Sequence, residues 1–68
     1  MLFVGTVFTT PSMTLKVTKL CGAYIKCDFW DPLTEQWIPR GRTENKKRIE
    51  GKIASGEYVM HSYLETEE

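Results

Sequence analysis

The sequence predicts a mainly β fold: one small antiparallel barrel of five to six short strands, with residues 44–54 open to either a strand or one short helix. Three observations carry this. β-Branched and aromatic residues recur in short runs, and Gly, Pro, Asp and Asn separate those runs at intervals near the roughly 8 to 12 residues of small sandwiches and barrels. A chain of 68 residues has room for only one core. Its hydrophobic fraction of 41 % and aromatic fraction of 12 % exceed those of a disordered chain. Residues 1–64 are expected to form the domain, and the acidic residues 65–68 to fray.

Leu2 to Thr9 reads as the first strand, with Leu2, Val4 and Phe8 on one face and Phe3 and Val7 on the other. Thr10-Pro11-Ser12 ends it, because proline donates no hydrogen bond and restricts its predecessor. Met13, Leu15 and Val17 then alternate with Thr14, Lys16 and Thr18, and beyond Cys21-Gly22-Ala23 a second alternation sets Ile25, Cys27 and Phe29 against Tyr24, Lys26, Asp28 and Trp30. A three-residue loop at Cys21 to Ala23 pairs Val17 with Cys27, Leu15 with Phe29 and Lys16 with Asp28, so apolar meets apolar and the charges face water. A two-residue loop at Cys21-Gly22 would instead bring Lys26 and Asp28 onto the core face.

Trp30 to Trp37 reads as a second hairpin whose turn starts at Asp31-Pro32. Trp37, Ile38 and Arg40 continue as a strand, which Pro39 makes an edge or bulged one. In Glu44 to Ala54, Ile49 and Ile53 share a face in a helix or a strand alike. Thr43 as N-cap and Gly56 past the end favour a helix. Gly51, the alternation from Arg48 to Ile53 and a tight turn at Ser55-Gly56 favour a strand, and the strand is preferred. That hairpin sets Glu50 opposite His61. In the final run, Tyr58 to Leu64, the residues Tyr58, Met60 and Leu64 face one side and Val59, His61 and Tyr63 the other.

In this register Cys21 and Cys27 lie beyond disulfide reach, about 13 Å apart along the strand, so both are expected as free thiols. One His and two Cys without a CxxC pair are too few for zinc, and no metal or cofactor is expected. No phosphate-binding loop, HExxH pair, GxSxG elbow or dinucleotide turn is present, so a catalytic site is not expected either. A Cys27–His61 dyad would require the thiol to leave the core face. Asp28, Asp31 and Glu35 are better explained by turn chemistry than by calcium binding. The N-terminus lacks a basic leader region and no apolar stretch approaches the roughly 18 residues of a spanning helix, so a cytoplasmic chain is the expectation.

These runs describe a barrel of SH3-like or OB-like build. The opening Gly5-Thr6-Val7-Phe8 and the closing Ser55-Gly56-Glu57-Tyr58 resemble those of small phage and prophage proteins of SH3-like build. The resemblance implies a regulatory or inhibitory accessory protein and assigns no residue a role.

Charge is neutral in sum and uneven in distribution. Arg40 to Lys52 holds six basic residues against Glu44 and Glu50, whereas residues 53–68 hold four acidic residues and no Lys or Arg. Aromatics on the outer face and absent catalytic machinery make a non-enzymatic protein-interaction module the first expectation, docking an unidentified protein through Tyr24, Trp30, Trp37, Arg40 and Arg42. The alternative is a single-stranded DNA or RNA binder that uses Arg40, Arg42, Lys46, Lys47 and Arg48 with Trp30 or Trp37 as stacking rings. A homodimer is expected through Leu2, Phe3, Val4, Val7 and Phe8, because a small barrel covers only the inner set; a helix over residues 44–54 would remove that need.

Overall fold

A computed structural model describes residues 2–61, so the expected strand positions beyond His61 and the acidic tail lie outside the described residues. The chain forms β1 (Val7–Thr9), β2 (Thr14–Cys21), β3 (Tyr24–Asp31), β4 (Gln36–Asn45), α1 (Lys46–Ala54) and β5 (Val59–His61). The five strands make one antiparallel sheet in the order β4-β3-β2-β1-β5. Among the described residues its two edges do not pair, so the sheet they form is not closed into a barrel. Leu2, Phe8, Leu15, Val17, Ile25, Cys27 and the helical Ile49 form the buried cluster, with Met13, Phe29, Ile53 and Tyr58 packed against it.

The preference for a strand over residues 44–54 is corrected by α1. Asn45, rather than Thr43, is its N-cap: the Asn45 side-chain oxygen accepts from the Arg48 amide at 2.9 Å. At the far end Ser55 is the C-cap, and Gly56 follows at φ +85°, where its amide reaches the Ile53 carbonyl. Clean alternation around Gly51 was outweighed by burial: as a helix, the segment lays Ile49 into the core cluster and packs Ile53 against it. The expected Glu50–His61 pair falls with it. Glu50 instead accepts from the Leu2 amide at 3.2 Å, and His61 meets the Thr9 hydroxyl at 2.6 Å.

The first strand is also shorter than expected. A turn at Val4-Gly5, with Gly5 at φ +96°, folds the chain back before β1 begins. Thr6 is fully buried; its hydroxyl accepts from the Phe3 amide at 3.0 Å and its own amide returns to the Phe3 carbonyl. The turn carries both Leu2 and Phe8 into the core and leaves Phe3 and Val4 exposed.

Between β2 and β3 the expected pairs Leu15–Phe29, Lys16–Asp28 and Val17–Cys27 are all present. The loop itself differs: Cys21 pairs with Tyr24 around Gly22-Ala23, and a bulge at Thr18 absorbs the extra residue. The Thr18 hydroxyl donates to the Lys26 carbonyl at 3.2 Å, which satisfies that carbonyl at the interruption. β4 is an edge strand carrying Pro39, as expected, and its register shifts between the pairs Asp28–Pro39 and Lys26–Thr43. Arg40, Gly41 and Arg42 therefore bulge opposite the single residue Cys27.

Candidate functional site

Alternation along β3 separates two surfaces. Leu15, Val17, Ile25 and Cys27 point inward, so Lys16, Asp28, Trp30, Trp37 and Pro39 share the opposite, outer face. There Trp30 and Trp37 form a cross-strand pair, ring centroids 5.2 Å apart and edge to face. The Lys16 ammonium lies 4.5 Å from the centre of the Trp37 ring. Such aromatic pairs contribute about 0.5 to 1.5 kcal/mol beyond area burial, and an exposed cation–π contact about 0.5 to 1 kcal/mol. Both tryptophans remain only half-buried.

The hairpin that joins them carries Leu33 at its tip, 93 % exposed. Asp31 builds this turn by accepting from the Leu33 amide at 3.0 Å and the Thr34 hydroxyl at 2.9 Å. Glu35 closes it at φ +55°, a left-handed conformation that favours glycine. Strand alternation does not reveal Leu33, which lies in the turn. Its signal was a lone large apolar residue in a turn otherwise made of Asp, Pro, Thr and Glu.

The second surface lies on the other side of the sheet, beside α1. Arg40 Nε and Arg42 Nε both donate to the same oxygen, Glu44 Oε2, at 2.9 and 3.0 Å. Burial pushes the Glu44 carboxyl up, but the hydrogen bonds and charges of the two arginines outweigh it and hold it below its ordinary value. Arg40 Nη1 meets, among the described residues, just the Met13 thioether sulfur, a weak acceptor. These groups and Arg48 line a small pocket of about 150 Å³. Between the bulges of β2 and β4 lies a wider cleft of about 340 Å³, lined by Thr18, Lys26, Asp28 and residues 39–43.

The predicted interaction residues are therefore split. Trp30 and Trp37 sit together, whereas Arg40 turns to the opposite side and Tyr24, 50 % exposed, lies at the far end of β3 about 20 Å away. The nucleic-acid set divides in the same way, with Arg40, Arg42 and Arg48 on one corner and the rings on the other face. Lys46, Lys47 and Arg48 occupy the first turn of α1, which contains no acidic residue. Of the expected dimer residues, Leu2 and Phe8 are consumed by the chain's own core. Cys21 and Cys27 are free thiols, and burial first, then the Glu44 charge, pushes the Cys27 thiol up to about 11. Among the described residues no helix is long and apolar enough to cross a membrane.

No family model matches the chain, and no curated protein or solved structure matches it.

Proposed function

We propose that the chain is a non-enzymatic protein-interaction module of SH3-like build, a regulator or inhibitor that docks a partner protein through the end of the β3–β4 hairpin. The observation that carries this reading is the juxtaposition of the half-buried Trp30–Trp37 pair with the almost fully exposed Leu33 at one end of the β3–β4 hairpin. Aromatic side chains placed on regular strands lose little freedom on binding, which suits them as anchors. Lys16 beside Trp37 and Asp28 beside Lys16 supply the polar rim such anchors need, and point to a partner with an apolar plug bordered by mixed charge. The strand order, with a helix before the last strand, supports the SH3-like build over the OB-like one.

The nucleic-acid reading has less support, since stacking rings and guanidinium groups lie on opposite sides of the sheet. The homodimer has less support still, because α1 is the helix that removes the need for it and Leu2 and Phe8 lie in the chain's own core; as a second proposal its surface shrinks to Phe3, Val4 and the half-buried Val7.

Pull-down from the native lysate with the intact chain, Leu33→Ser and Trp30→Ala tests the docking proposal. A stoichiometric protein should be retained by the intact chain and lost with both variants while their thermal unfolding stays cooperative. Retention of the partner by both folded variants would overturn the assignment of this surface.

A further inference from the structure

We propose that the corner where Arg40 and Arg42 of β4 meet Arg48 of α1 binds a phosphate monoester group. This site is independent of the tryptophan surface, so either can fail without the other. Three arginines line a pocket whose one acidic lining residue is Glu44, so the lining carries two more positive charges than negative. A phosphate monoester carries about −1.5 to −2 at neutral pH and supplies three acceptor oxygens. The pocket, about 150 Å³, is the size of one such group rather than of an extended strand.

The donors are placed for it. Arg40 and Arg42 each engage Glu44 through Nε alone, which leaves their paired terminal nitrogens for another acceptor. That end of Arg40 has only the Met13 sulfur, and among the described residues no hydrogen bond or ion pair engages the Arg48 guanidinium. Planar forks of this kind match phosphate oxygens two at a time. Ser12 and Tyr58 line the same pocket.

A separate observation points the same way. Helix dipoles favour acidic residues in the first turn, yet α1 opens on Lys46, Lys47 and Arg48. This arrangement opposes helix stability and concentrates positive potential beside the pocket. A nucleic-acid strand is the poorer occupant, because Trp30 and Trp37 face away and the Tyr58 ring is already stacked on Phe8 at 6.0 Å.

The test is a titration of the full chain with phenyl phosphate at constant ionic strength, read by heteronuclear NMR of the arginine Nε–H groups. Saturable shifts at Arg40, Arg42 and Arg48 are expected, with affinity about tenfold above that for dimethyl phosphate or acetate. Arg42→Gln and Arg48→Gln, both at exposed positions, should each weaken binding about tenfold without altering the backbone spectrum. Affinity should also fall from about pH 7.5 to about pH 5, as the ester loses its second charge near pH 6. Absence of saturation, equal binding of dimethyl phosphate, or unchanged affinity in both variants would overturn the proposal. Binding of an unphosphorylated oligothymidylate as tight as that of phenyl phosphate would overturn it in favour of a nucleic-acid site.

Discussion

Arg40 and Glu44 lie four residues apart on one strand, yet Arg40 Nε donates to Glu44 Oε2 at 2.9 Å. Fully extended chain would separate their Cα atoms by about 13 Å. The register shift at residues 40–42 interrupts the regular strand between them, and Arg42 reaches the same carboxylate oxygen. One irregularity in an edge strand thus accompanies the gathering of two arginines on one carboxylate.

Replacing this carboxylate has a defined consequence. Glu44→Gln should cost about 1 to 3 kcal/mol, since it removes the half-buried negative charge shared by two cations. Because the folded carboxyl titrates below its ordinary value, its stabilisation is full above the unfolded pKa and is lost as pH falls through the folded one. Thermal unfolding followed from neutral pH down through the carboxylate range should show a steeper loss of stability for the native chain than for Glu44→Gln.

Ile49 is the buried residue that α1 supplies to the core, at 2 % exposure. Ile49→Ala should cost about 2 to 5 kcal/mol, comparable with the roughly 3 to 5 kcal/mol expected of a whole domain this small. Circular dichroism at ambient temperature should therefore find Ile49→Ala largely unfolded, whereas Ile49→Val should remain folded with a lowered Tm.

Glu35 holds φ +55° with its side chain in water. Glu35→Gly removes the left-handed penalty at the cost of some unfolded-state entropy, and a net gain of several tenths to about 1 kcal/mol is expected. Calorimetry should record a rise of a few degrees in Tm; a fall would show that the turn does not hold this conformation in solution.

The two thiols should differ in reactivity. Cys21 is partly exposed at the end of β2, whereas Cys27 is buried and titrates near 11. Under native conditions near pH 8, Ellman's reagent should label one thiol quickly and the second only on unfolding. Loss of the fast phase in Cys21→Ser assigns it.

Self-association has its own measurement. The dimer proposal expects sedimentation at tens of micromolar to give about twice the 7.9 kDa chain mass, and Val4→Glu to return it to one chain. A single species of chain mass at every concentration removes the proposal.

Much of the sheet was legible because strand faces follow a period of two. The pairs Leu15–Phe29, Lys16–Asp28 and Val17–Cys27 are fixed by which residues tolerate water, and the Trp30–Trp37 hairpin by Asp31 and Pro32. Of the surfaces, the tryptophan pair was visible in advance, while Leu33 and the shared Glu44 carboxylate were not. The latter depends on a bulge whose length has no sequence signature beyond Pro39 and Gly41.

Local chemistry in the sequence thus determined the strand faces, the hairpins and the inward position of Cys27. Tertiary structure decided the rest. Ile49 and Ile53 satisfy either period, and only an open sheet with uncovered core made the helix the better burial. Gly5 permits a turn without requiring one, and the burial of Leu2 in one cluster with Phe8 and Ile49 goes with a β1 only three residues long. Where a residue pattern fits two conformations, the apolar surface left exposed by the remaining chain selects between them.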